Sequence, residues 1–126
     1  MILSLALAAA ATGQTYYQAA PVVYGDPTGF VAQLNAIRSQ YGLPAVSYDP
    51  NLASWASQNN AHQAARGIGH HVQAPGASQV AAMAGDVATA CRQWLGSAPH
   101  RAIILSPSIQ FVGFSTAAGW ATANAR

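Results

Sequence analysis

The chain has no lysine and no glutamate. Five arginines and three aspartates are its entire set of fixed charges, 6% of the residues, and they leave a net charge of +2 at pH 7. Nucleic-acid binding relies on many cations acting together, because the affinity comes from displacing condensed counterions. Arg38, Arg66, Arg92, Arg101 and Arg126 are scattered without a run, so the basic pI of about 9.0 reflects scarce acid and argues against a nucleic-acid partner. Solubility must rest on Gln, Asn, Ser and Thr. Cys91 is the only cysteine, which rules out an intramolecular disulfide. Many small secreted domains depend on such bridges, and this one must hold together by packing. Cys91 itself is read as a small buried apolar residue on a helix face, the common fate of a free cysteine, and not as a nucleophile or redox thiol.

What is present points to a single domain. Residues 2–11 read I-L-S-L-A-L-A-A-A-A. That run has the length of a signal-peptide apolar region and is too short to cross a bilayer. Cleavage is expected near Ala10 or Ala11, although no Lys or Arg precedes the run. The expected division is a signal peptide over 1–14, a Tyr-rich linker over 15–27 and a folded domain over 28–126, with no transmembrane span.

Within the folded part, helix grammar repeats. Asp26-Pro27 is an N-cap followed by a first-turn proline. Phe30, Leu34, Ile37 and Tyr41 follow at helical spacing on one face, and Gly42 and Leu43-Pro44 end the helix. Asp49-Pro50 opens a second helix with Leu52, Trp55 and Ala56 on its apolar stripe. Ala53, Ala61, Ala64 and Ala65 would let it pack closely, His62 shares the face of Trp55, and Gly67 stops it. A loop over 67–76 carries His70 and His71. Residues 77–82 form a weak strand candidate. A third helix over 86–95 sets Val87, Cys91 and Trp94 on one face, with Asp86 complementing its dipole. Ala98-Pro99 starts a short helical turn through Leu105. The period then changes: 110–116 and 120–124 read as an antiparallel hairpin. Helices first and strands last predict an α+β fold.

Four segments in order resemble the CAP family of cysteine-rich secretory, antigen-five and pathogenesis-related proteins, in its short bacterial form. They are Leu34-Asn35-Ala36-Ile37-Arg38 with Tyr41-Gly42-Leu43-Pro44; the helix after Asp49-Pro50 with its terminal Gly and His; Trp94-Leu95-Gly96-Ser97-Ala98-Pro99-His100-Arg101-Ala102-Ile103-Ile104-Leu105; and Val112-Gly113-Phe114 with Trp120. The third is similar to the pattern W-M-x-S-P-G-H-R-A-N-I-L and is the specific one. The resemblance implies an α-β-α sandwich, an antiparallel sheet flanked by helices, with a cleft holding two His and usually two acids. The second His maps onto His100, and the first onto His70 or His71. The family's G-E-N-I segment falls on Ala77-Ser78-Gln79-Val80, so its Glu becomes Ser78, or Gln79 if the alignment slips by one. The other acid has no counterpart. Asp86 is the only acid nearby in sequence.

Zinc generally takes three or four N, S or O ligands. His100 with one or both of His70 and His71 supplies two or three, without the carboxylate that would orient a ligating imidazole. A hydrolase would use the two His as acid and base, with Ser78 or Ser97 as nucleophile, but no G-x-S-x-G is present. Arg101, next to His100, is either an anion contact or a solvating helix residue. The expected function is therefore a monomeric, non-catalytic extracellular or envelope binding module. Its partner would be a small apolar ligand, a peptide or an extracellular protein, with His70, His71, His100, Ser78 and Arg101 lining the cleft. The alternatives are a metal-dependent hydrolase and a structural copy that has lost its site.

Overall fold

The computed structural model describes residues 26–126. The signal-peptide reading and nearly all of the linker reading lie outside these residues. Four helices and four strands follow in chain order: α1 (Phe30–Gln40), β1 (Ser47–Tyr48), α2 (Pro50–Arg66), β2 (Ser78–Met83), α3 (Val87–Leu95), α4 (Ala98–Ile104), β3 (Phe111–Ala117) and β4 (Trp120–Ala125). The sheet order is β1-β3-β4-β2.

The capping pairs act largely as read. Asp49 caps α2, its carboxylate accepting from the N–H groups of Asn51 (2.8 Å) and Leu52 (3.3 Å) with Pro50 in the first turn. Asp86 caps α3 through Thr89 N–H at 2.7 Å. Helix α1 starts later than expected. Residues 27–29 form a turn, with Gly29 at φ 74° as the N-cap, yet the Asp26 carboxylate still accepts from Val31 N–H (2.9 Å) and Ala32 N–H (3.2 Å).

The inner face of α1 also differs from the expected stripe. Phe30 and Leu34 are buried, Ile37 is half-buried and Tyr41 is exposed; Val31, Asn35 and Arg38 complete the buried side. The two polar residues face inward because they satisfy loop backbone. Asn35 donates to Val46 C=O and accepts from Val46 N–H. Arg38 donates to the carbonyls of Pro44 (3.0 Å), Ile104 (3.0 Å) and Ser106 (2.9 Å), tying α1 to its own exit turn and to the end of α4.

Strand β1 was not anticipated. It lies parallel to β3, so the sheet is mixed, while β3–β4 and β4–β2 are antiparallel as expected. The outer edge of β2 is occupied by side chains of α3. Trp94 Nε1 donates to Ala81 C=O (3.2 Å) and Gln93 to Met83 C=O (3.0 Å), which fills acceptors that another strand would otherwise use.

Strand alternation gives the sheet two different faces. Val80, Ala82, Val112, Phe114, Ala121, Ala123 and Ala125 meet Phe30, Val31, Leu34, Cys91, Trp94 and Ile104 in the apolar core. Phe30 stacks on Phe114 at 4.4 Å, and Trp94 meets both edge-on at 6.2 and 6.1 Å. The opposite face packs on α2, and Gly113 sets how closely. A Cβ there would fall 2.1 Å from the backbone N of Ala53 and 2.5 Å from the carbonyl carbon of Leu52, so only glycine fits.

Candidate functional site

The contact between α2 and the sheet is polar at its centre. Leu52 and Ala56 begin the buried stripe of α2, but Asn59, Asn60 and Gln63 continue it; Trp55 is only half-buried, and Ala61, Ala64 and Ala65 are exposed rather than packed. The three amides meet Thr122 of β4. Thr122 Oγ1 donates to Asn60 Oδ1 (2.7 Å) and accepts from Asn59 and Gln63 (3.1 Å each).

This layer also holds the histidine loop. Asn59 Oδ1 accepts from the backbone N–H of His71 (2.7 Å) and Val72 (3.0 Å), while its Nδ2 donates to Gly69 C=O (3.0 Å). Gly69 N–H reaches Gln63 Oε1 at 3.3 Å. One helix turn of amides thus fixes the backbone on both sides of His70.

The two loop histidines go different ways. His71 Nε2 lies 2.9 Å from Gly67 C=O. Its ring folds over Gly69, where a Cβ would sit 2.9 Å from Nε2, and stacks at 6.3 Å on His62 of α2. His70 instead places Nδ1 2.8 Å from Gln79 Oε1. Gln79 is buried, and its Nε2 donates to Val72 C=O (2.8 Å) and Asn124 Oδ1 (3.0 Å).

His100 is half-buried on α4. Burial pushes its pKa below the ordinary 6.5, and the charge of His70 lowers it further. Of the two positions considered for the implied Glu, Gln79 is the one that touches His70. Ser78 is exposed at the start of β2, and alternation sends its side chain to the other face from Gln79.

The remaining candidates sit in structural positions. Arg101 Nη1 donates to Leu95 C=O at 2.7 Å, closing the end of α3. Asp86 is held below the usual carboxylate range by its bonds to Thr89 at the start of α3. Ser97 is the N-cap residue of α4. Cys91 sits in the core, and burial pushes its thiol up to about 11, away from nucleophilic use.

A zinc site needs at least three protein donors. Among the described residues no group of three or more His, Cys, Asp or Glu is assembled. His71, one of the three histidines expected to contribute, is engaged with Gly67 and His62.

Residues that sequence reasoning missed are Asn59 and Gln63. Their signal was available, since they continue the spacing of Leu52 and Ala56 along one face of α2.

Residues 31–124 match the profile of the cysteine-rich secretory protein family, CAP. The chain belongs to the CAP family. No curated protein sequence matches this CAP domain. Among solved structures it is similar to an extracellular protein containing an SCP domain from Bacillus anthracis, with a TM-score of 0.68, 21% identity, and 76% of this chain and 38% of that one covered. A cysteine-rich secretory protein from Staphylococcus aureus gives a TM-score of 0.66 and 20% identity, with 82% and 40% covered. An outer surface protein from Borrelia burgdorferi gives 0.67 and 13% identity, with 84% and 95% covered. At these identities the likeness is one of fold, and the CAP domain spans well under half the length of the first two proteins. None of the helices among the described residues is long and apolar enough to cross a membrane.

Proposed function

We propose that this CAP domain is a non-catalytic binding module of the extracellular space or cell envelope, which takes a small apolar ligand or peptide at a shared His70–His100 site. The observation that carries this reading is Gln79. A buried, neutral amide stands beside His70 at one of the two positions where the family resemblance implies a carboxylate. General acid–base catalysis uses a titratable pair whose environments separate their pKa values, and an amide cannot serve in such a pair. Burial holds His100 below its ordinary pKa, which favours the uncharged imidazole. An amide beside His70 and an imidazole biased toward its neutral form favour recognition over proton transfer. Ile68, two residues before His70 and exposed, adds apolar surface to the same loop. The extracellular and outer-surface descriptions of the structural relatives support the location.

The test is an NMR titration of the labelled chain with 1-octanol and with a short apolar peptide. Shifts confined to His70, His100 and Ile68, and abolished by His100→Ala, are expected. Turnover of ester or peptide substrates that disappears in His100→Ala would replace this reading with the hydrolase. Absence of binding to either probe would favour a structural copy.

A further inference from the structure

A chain of side-chain amides leads from the backbone of α2 to His70, and its polarity is fixed at the far end. Leu52 C=O can only accept, so the Asn124 group 3.1 Å from it is the donor Nδ2. Asn124 Oδ1 then faces Gln79, and what it meets at 3.0 Å must be Gln79 Nε2. Val72 C=O, also acceptor only, demands the same orientation from the other side at 2.8 Å. With both N–H groups of Gln79 committed, the atom left for His70 is the carbonyl oxygen Oε1, 2.8 Å from Nδ1. An oxygen that only accepts requires a proton on that nitrogen. In the neutral ring the other nitrogen, Nε2, then carries a lone pair. His70 is exposed, and among the described residues no group hydrogen-bonds its Nε2.

We propose that Gln79 is a positioning residue that locks His70 in its Nδ1–H tautomer, so that Nε2 is the acceptor the site offers to an O–H or N–H donor on its ligand. The inference rests on the binding-module reading for its ligand and on the amide chain alone for its tautomer. It sets the ligand class: a neutral molecule with a hydroxyl or amide donor at one end of an apolar body, and not one that brings only acceptors. The lock differs from what a carboxylate would do at the same place. Both accept from Nδ1–H, but the amide adds no negative charge to hold an imidazolium.

Long-range proton–nitrogen correlation of the imidazoles, recorded on the labelled full chain at mildly alkaline pH, reads the tautomers directly. His70 should show a protonated Nδ1 and a bare Nε2. His71, whose Nε2 faces Gly67 C=O, should show the opposite form in the same spectrum and serves as the internal control. Gln79→Met keeps the bulk and removes the acceptor; His70 should then move toward the Nε2–H form that free imidazoles prefer, with His71 unchanged. A bare Nδ1 on wild-type His70 would overturn the lock, and so would an unchanged His70 in a folded Gln79→Met. Should that variant fail to fold, the wild-type spectrum still decides.

The ligand class is read by comparing 1-octanol with its methyl ether. The ether should bind roughly 2- to 10-fold more weakly, the factor one ordinary hydrogen bond supplies; equal affinity would remove that part of the proposal. The two readings fail separately. An Nε2–H His70 with ligand shifts at His70 and His100 sinks the lock and keeps the module. An Nδ1–H His70 that responds to neither probe keeps the lock and sinks the module.

Discussion

The two faces of the sheet are closed by different chemistry. On one, Phe30, Phe114 and Trp94 interlock with Cys91 and the small residues of β2 and β4. On the other, Asn59, Asn60 and Gln63 of α2 hydrogen-bond to Thr122, and Asn124 bonds to Gln79 and to the Leu52 carbonyl of α2. The apolar face gains stability from area and close packing, which carry little directional information. The amide face is directional. Each of its buried groups must find a partner or cost free energy, and none of that network's side-chain atoms lacks one. Its geometry is therefore narrowly defined, and the histidine loop hangs from it. The apolar layer holds the fold together, and the polar layer aims the site.

Trp94→Ala strikes the apolar face at its most buried ring. The expected cost is about 3–5 kcal/mol, as for other large core truncations, because the indole is fully buried, touches two aromatic rings and caps Ala81 C=O. A denaturant midpoint near wild type would break the assignment of stability to that face. The His70 tautomer in any surviving folded population should be unchanged.

Asn59→Ala strikes the polar face. Three loop backbone groups and Thr122 lose a partner, and a cost of about 1–3 kcal/mol follows from groups left unsatisfied. The distinctive effect is local. Amide exchange at His71 and Val72 should accelerate far more than exchange in β3 or β4. Uniform acceleration across the sheet would mean that the polar layer is merely more core.

A third comparison separates two neighbouring positions on β2. Gln79→Glu supplies a carboxylate beside His70 and should strengthen zinc binding by about 10-fold, the lower end of what orienting carboxylates contribute. Ser78→Glu, on the opposite face, should leave it at the wild-type level. Calorimetry with zinc checks both, and the reverse result would mean that β2 is displaced by one residue.

The smallest expected effect is on His100. Its folded pKa lies below its ordinary value of 6.5 through burial and the charge of His70. It therefore contributes stability that is present above about pH 6.5 and lost as the pH falls through the folded value, where the unfolded chain has already taken up its proton. His70→Gln removes the second cause, so the NMR midpoint of His100 should rise part of the way back while the burial part persists. A midpoint that does not move would place the two imidazoles out of each other's reach.

Much of the fold was legible because it depends on local chemistry. Asp49-Pro50 and Gly67 bound α2 through a side-chain cap, a fixed proline φ and a positive φ of 95°. Val87, Cys91 and Trp94 mark the face of α3 that meets the core, and the aromatic and β-branched residues after Gln110 mark the hairpin. Gly113 was visible as part of a motif, although its reason, the approach of the α2 backbone, belongs to the packing. The misses share one cause. β1 is two residues long and exists only because β3 lies beside it. The inward turn of Arg38 and Asn35 on α1 depends on the loops whose backbone they satisfy. Ala61, Ala64 and Ala65 fit a close-packed helix face equally well, and the rotation of α2 left them outside.

The same division holds at the site. Sequence alone determined which groups were available: four histidines, no glutamate, no disulfide and a run from Trp94 to Leu105 similar to a known pattern. Only the tertiary structure decided that His70 meets Gln79 while His71 turns to Gly67 and His62, and that Gln79 rather than Ser78 makes that contact. Adjacent residues in a loop or strand differ by nothing that composition or spacing records, yet their side chains leave the backbone in different directions. Which of them meets a partner is set by hydrogen bonds from segments distant in the chain, here Asn59, Asn124 and the carbonyl of Leu52.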